Sequence, residues 1–178
     1  MERVAIFIDG SNLYHGAKRL LGTTEEGQID FEQLVSVLTR GRRVAAVYYY
    51  NAPLDIGVNP DVYWKQQRFF NRLRALPSFH VVLCRLQRIR LPDGGFRFLV
   101  KGDDIHIAVD MVAQAYEDRY DTAILVSGDG DFVPAVACVQ RQGKRVENAH
   151  FADRSSSALK RRCDDSTLLD PIVRRANR

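Results

Sequence analysis

Cysteine is scarce in this 178-residue chain, and its pattern excludes two classes at once. Cys84, Cys138 and Cys163 are odd in number, widely spaced and form no C-x-x-C pair. Neither a disulfide framework nor a zinc knuckle is indicated. Cys84 in "FHVVLC" and Cys138 in "VPAVACV" lie in apolar runs, where a free thiol behaves as a small hydrophobe. No apolar run approaches the ~18 residues of a membrane span. The start "MERVAIFIDG" lacks the apolar core and cleavage site of a signal peptide, so a cytoplasmic protein with no membrane partner is expected. Internal repeats and low-complexity linkers are absent. The histidines, His15, His80, His106 and His150, form neither a metal pair nor a transesterifying pair, and Ser/His/Asp and Cys/His sites lack their local settings.

What is present reads as one ordinary globular domain. Hydrophobic residues make up 46% and charged residues 27%, and the length suffices for a real core without staples. The net charge is +4 and the basic residues are grouped, in "RGRR" (40–43), "KQQRFFNRLR" (65–74), "RLQRIR" (85–90) and "KRR" (160–162). Such grouping favours a polyanionic partner, although many soluble proteins carry a modest positive charge without one.

Short β-rich runs alternate with stretches of helical spacing. "VAIFI" (4–8), "VAAVYYY" (44–50), "FHVVLC" (79–84), "TAILVS" (122–127) and "RVENAHF" (145–151) read as strands. Helices are expected between them, from "SNLYHGAKRLLG", "DFEQLVSVLTRG", "NPDVYWKQQRFFNRLRALP", "DDIHIAVDMVAQAYEDRY" and "DFVPAVACVQRQG". The alternation predicts an α/β fold with a largely parallel sheet. "RIRLPDGGFRFLVK" (88–101) interrupts it with two alternating runs around Pro92-Asp93-Gly94-Gly95, a hairpin insertion. Residues 1–152 are taken as the domain, and 153–178 as a helical extension or tail that forms one or two short helices and then frays.

Two strands run straight into carboxylates. Asp9 follows the first, and Asp129 and Asp131 follow the fourth. Open parallel sheets bind ligands beyond the carboxyl ends of their strands, so neighbouring strands would bring these acids to one edge. Clustered carboxylates repel, and a hard divalent ion such as Mg²⁺ or Mn²⁺ relieves that repulsion. Helix capping explains Asp9 and Asp129 equally well, but not Asp131 as well. On the helix from about 103 to 118, 100° per residue places Ile105, Ile107, Ala108, Met111, Val112 and Ala115 on one apolar face, with Asp104 inside it. There an acid is either paired, metal-linked or turned back as an N-cap. Asp103 and Asp110 then share the opposite, solvated side. Lys101, just before, is placed to balance the acids or hold a phosphate.

"FIDGSNLY", "KGDDIHIAVDM" (101–111) and "LVSGDGDFVPAV" (125–136) together resemble the motifs of the NYN domain, in its bacterial LabA-like branch, within the PIN-like nuclease superfamily. The resemblance spans roughly residues 2–150. It implies a three-layer α/β/α, Rossmann-like fold with a five-stranded sheet of order 3-2-1-4-5. It implies metal-dependent cleavage of RNA, with site acids at Asp9, Asp104, Asp129 and Asp131. Asn12 matches the polar partner of the first motif and Asp110 the second acid of the helical motif, while Asp103 falls at a variable position. The expected chemistry is attack of a metal-activated water on the phosphodiester, with Asn12 and Ser127 orienting ligands or phosphate.

Substrate would be held by Lys101 and by Arg88, Arg90 and Arg97 on the hairpin. Tyr63, Trp64, Phe69 and Phe70 interleave with Lys65, Arg68, Arg72 and Arg74 as single-strand binders do, yet aromatics at helical spacing more often form core. Single-stranded RNA is the expected partner, and a homodimer is an open form. The rival from another class is a non-catalytic RNA-binding or regulatory module retaining the acidic pocket. Phosphatases of the haloacid dehalogenase type need D-x-D after the first strand, where Asp9-Gly10-Ser11 lacks the second acid. Dinucleotide binding lacks its G-x-G-x-x-G.

Overall fold

The computed structural model describes residues 1–22, 29–92, 94–153 and 155–175, and not the side chains of Arg97, Leu99 and Val100. Strand β1 (Arg3–Asp9) leads into helix α1 (Gly10–Leu21), followed by α2 (Phe31–Thr39), β2 (Arg43–Asn51), α3 (Pro60–Ala75) and β3 (Phe79–Leu83). A ribbon of β4 (Arg85–Arg90) and β5 (Phe96–Lys101) precedes α4 (Asp103–Tyr116) and β6 (Thr122–Val126). A 3₁₀ turn (Gly130–Phe132), α5 (Val133–Arg141), β7 (Arg145–His150), α6 (Ser157–Arg162), β8 (Asp165–Leu168) and α7 (Asp170–Arg175) complete the order.

The main sheet runs β3-β2-β1-β6-β7-β8, with parallel pairing throughout. Its first five positions match the expected 3-2-1-4-5, with β6 and β7 as the fourth and fifth strands. The sixth strand corrects the expectation for the tail. "DSTL" aligns parallel to β7, Glu147 opposite Asp165 and His150 opposite Leu168. Its side chains alternate between half-buried and exposed, so hydropathy gave no strand signal; backbone pairing and the buried anchors Leu159, Leu169 and Val173 hold it.

Burial on both faces explains the continuous apolar strands. On β1, Val4, Ile6 and Ile8 pack with α1, α2, α3 and α7, through Leu13, Phe31, Leu34, Phe70 and Val173. Ala5 and Phe7 face the other layer, against Ile107 and Met111 of α4, Val136 of α5 and Leu159 of α6. Each large side chain so buried contributes roughly 1.5–3 kcal/mol. The helices start where polar caps accept backbone N–H groups: Asp30 caps α2 through Gln33, and Asn59 caps α3 through Val62, with Pro60 next to it. Helix α1 ends at Gly22, whose φ of 68° suits a residue without Cβ.

Sheet order matters most at β1. Its neighbours are β2 and β6, so consecutive connections depart to opposite sides here. This is the topological switch point, and the carboxyl ends of β1 and β6 lie side by side, with Ile8 opposite Val126.

Candidate active site at the switch point

Asp9 ends β1 and caps α1. One carboxylate oxygen accepts the Asn12 N–H at 2.9 Å, and the other accepts the Ser127 hydroxyl at 3.0 Å. Ser127, buried just past β6, also accepts the Asp129 N–H at 3.2 Å. The Asn12 side-chain oxygen accepts the Gly128 N–H at 3.3 Å. Asp129 in turn accepts the Asp131 N–H at 3.0 Å, which starts the 3₁₀ turn. The two acidic segments expected to meet are therefore stitched together by side chains.

The electrostatics are unfavourable for charge. Asp9 is 9% exposed, and its carboxyl is pushed up to about 6. Burial is the largest cause; the Asn12 and Ser127 hydrogen bonds oppose it, and the carboxylates of Asp103 and Asp129 add to it. Asp103, half-buried, is also raised, by burial first and then by Asp104 and Asp129, against hydrogen bonds from its own N–H and that of Asp104. Burial lifts the Cys84 thiol to about 11, with Asp103, Asp104, Asp110 and Asp9 adding to the rise. That thiol is no nucleophile.

Helix α4 presents the expected face: Ile107, Met111 and Ala115 are buried, Ala108 and Val112 pack beside them, and Ile105 alone departs, 65% exposed. Asp104 shares that stripe by spacing but stands in the first turn of the helix, where it is exposed instead of enclosed. Asp103, expected on the solvated side, is the acid of this turn whose field reaches Asp9. Asp110, expected there too, accepts a 2.8 Å hydrogen bond from the Tyr50 hydroxyl, which burial and the Asp110 charge hold in its protonated form. Sequence reasoning missed Asp103, Tyr50 and Asn148. The last is buried on β7 and donates to the carbonyls of Leu125 and Ser127, fixing the end of β6. The seven-residue spacing of Asp103 and Asp110 was the available signal, since it correctly placed both on one face.

Asp129 and Asp131 are exposed. Among the described residues, no three His, Cys, Asp or Glu side chains are arranged closely enough to hold one ion. The donor chemistry nevertheless suits Mg²⁺ or Mn²⁺: every acid at this edge is a hard oxygen donor, and their mutual repulsion is what a dication relieves.

The basic clusters divide in role. Arg42 forms a 2.6 Å ion pair with Glu147, and Arg40 one of 3.0 Å with Asp165, so much of "RGRR" ties the body together. On α3, Phe69 and Phe70 are core, while Trp64 is 52% exposed. Lys101, Arg88 and Arg90 are exposed on the ribbon; the Arg97 side chain lies outside the described residues.

No helix among the described residues is long and apolar enough to cross a membrane. No curated protein matches the chain. The structure is similar to the crystal structure of a protein of unknown function from Vibrio parahaemolyticus RIMD 2210633, with a TM-score of 0.73, 29% identity, and 96% of this chain and 94% of that one covered. The model of the NYN domain matches residues 3–170, a span that takes in β8 and so reaches past the motifs. The chain belongs to the NYN domain family, part of the PIN-like nuclease superfamily.

Proposed function

We propose that this chain is a divalent-metal-dependent ribonuclease of the LabA-like branch, acting on single-stranded RNA in the cytoplasm. One observation carries the reading: adjacent parallel strands deliver Asp9 and Asp129 to the switch point, where Asp9 is buried among like charges and raised to about 6. Asp9, Asp104, Asp129 and Asp131 are the residues proposed to hold Mg²⁺ or Mn²⁺, with Asp103 joining them from the same turn as Asp104. When bound, the ion supplies positive charge to the scissile phosphate and acidifies a water.

The chain's own groups do the rest. Ser127 and Asn12 orient Asp9 and the Gly128 turn, so the carboxylate is held in one direction. Tyr50 holds Asp110 in place by its hydrogen bond. Lys101 stands one residue before the acidic turn of α4, placed to take a phosphate oxygen.

A second reading is a non-catalytic RNA-binding or regulatory module. It is favoured by the exposure of Asp104 and Asp131 and by the lack of a closed ligand set among the described residues. Incubating purified protein with a labelled single-stranded RNA, with Mg²⁺, Mn²⁺ or chelator, decides between them. Metal-dependent cleavage lost in Asp129→Asn is the expected result, because asparagine still accepts the Asp131 N–H while removing the charge. Intact RNA under every divalent ion would sink the nuclease reading.

A further inference from the structure

The ribbon β4–β5 is unusual in charge. Segment 85–101 holds five of the 26 basic residues (Arg85, Arg88, Arg90, Arg97 and Lys101) and one of the 22 acidic ones, Asp93. It therefore accounts for the whole net charge of +4, and the rest of the chain is neutral. Among the described residues, Arg85, Arg88, Arg90 and Lys101 are exposed and form no ion pair. A polyanion approaching the molecule meets a concentrated positive field here; the exposed Lys65, Arg68, Arg72 and Arg74 of α3 form a second one, which lacks the ribbon's link to the acidic edge.

The ribbon is rooted at the site. Leu83, the last residue of β3, lies opposite Asn51, the last of β2, and its neighbour Tyr50 lies opposite Asp9. Arg85 therefore leaves the sheet from the edge that carries Asp9. At the other root, Lys101 pairs with Arg85 and is followed by Gly102 and the acidic turn of α4. Six residues per strand give a reach of ~20 Å from that edge. The two strands form a sheet of their own. Isolated two-stranded ribbons are marginal in water, so a bound partner would order this one.

The antiparallel register gives one face a mixed character. Arg88 lies opposite Phe98 and Arg90 opposite Phe96, which places these four side chains together. The Arg88 guanidinium stacks 3.4 Å from the centre of the Phe96 ring, and Phe96 remains 46% exposed. A planar cation stacked on an accessible ring is the surface on which unpaired bases stack, while neighbouring arginines pair with phosphates.

We propose that the β4–β5 ribbon is a single-strand RNA arm, in which the Arg88–Phe96 stack takes a base and Arg88 and Arg90 take backbone phosphates. The choice of RNA as the polymer rests on the ribonuclease reading above; the arm itself rests on the charge and the stack. It would bring a polyanion to an edge whose carboxylates, by themselves, repel it.

Anisotropy of a labelled single-stranded RNA, titrated in chelator across a salt series, tests the arm without cleavage. Wild type should bind with a negative log–log salt slope. Arg90→Ala should flatten that slope by about 0.7, and Arg88→Ala with Arg90→Ala by about 1.4, one phosphate contact each. Phe96→Ala should weaken binding by roughly 5- to 150-fold, the worth of one stacked base, with the slope unchanged, and Phe96→Trp should restore it. Circular dichroism checks that each variant folds. Unchanged affinity and slope in the folded variants would overturn the arm, as would duplex RNA competing as well as single strands. The two proposals fail separately. Wild type that binds through the ribbon yet never cleaves removes the nuclease and keeps the arm. Cleavage with unaltered KM in the double arginine variant removes the arm and keeps the nuclease.

Discussion

Replacing Asp9 by asparagine should stabilise the metal-free protein. Asp9 rises from an ordinary value near 3.8 to about 6, with burial as the main cause. Each pH unit of difference between folded and unfolded states is worth about 1.4 kcal/mol, so the ionised carboxylate costs the fold about 3 kcal/mol at neutral pH. The folded pKa lies above the unfolded one, so the folded state binds the proton more tightly. Below about pH 4 both states are protonated and Asp9 costs nothing. The cost grows as pH rises from 4 to 6 and is complete above 6. Asparagine is nearly isosteric: its oxygen still accepts the Asn12 N–H, and its amide can donate to the Ser127 oxygen, which the carboxylate cannot do.

Urea unfolding of both proteins in chelator, at several pH values, measures the difference. Asp9→Asn should be more stable by up to about 3 kcal/mol at pH 8, with the gap closing toward pH 4. Adding Mg²⁺ at a hundred times its dissociation constant should return about 2.7 kcal/mol to wild type and much less to the variant. A gap that is absent at pH 8, or that does not change with pH, would refute the claim that a buried charge sits at this strand end.

Two further predictions concern the same corner. Asp103→Asn should lower the Asp9 pKa, followed by carboxyl carbon resonances through a pH titration, whereas Asp104→Asn should move it less, since Asp103 and not Asp104 is among the charges that raise Asp9 most. A larger effect from Asp104 would show that it, and not Asp103, sets the field at Asp9. Gly10→Ala places a Cβ 2.5 Å from the Tyr50 carbonyl oxygen and 2.7 Å from the Tyr49 ring, so α1 must shift from β2. It should lose ~1–3 kcal/mol in urea unfolding and displace Asp9 with the helix; a wild-type midpoint would show that the contact relaxes freely.

The fold was legible wherever burial on both faces leaves a continuous apolar run. "VAIFI" and "TAILVS" read as strands covered on both faces, while their adjacency was implied by the family resemblance, through the order 3-2-1-4-5, and is seen in the pairing of β1 with β6. Strand β8 was illegible because its four residues carry no apolar pattern and it exists through its pairing with β7. The environments of Asp103 and Asp104 were misread for a different reason. The face of α4 was legible, since Ile107, Met111 and Ala115 are buried with Ala108 and Val112 beside them. Asp104 shares that stripe by spacing, three residues before Ile107, yet it stands in the first turn and is exposed, while Asp103 next to it is half-buried. Periodicity fixes the direction of a side chain around the helix axis and not whether the helix end it stands on is covered.

Capping and site chemistry, which the sequence left open for Asp9 and Asp129, are both compatible with the structure, and magnitudes separate them. Asp9 does cap α1, and Asp129 does cap the 3₁₀ turn. Serine or asparagine would cap as well as aspartate without bringing a charge into a buried place. The positive end of α1 favours an anion by about 0.3–1 kcal/mol, up to ~2 in a partly buried setting. That is less than the ~3 kcal/mol that holding Asp9 ionised costs. Capping therefore accounts for a polar acceptor at the end of β1 and leaves the charge unaccounted for. A divalent cation seated between Asp9 and its acidic neighbours would repay that cost, and a structural cap would not need to be repaid.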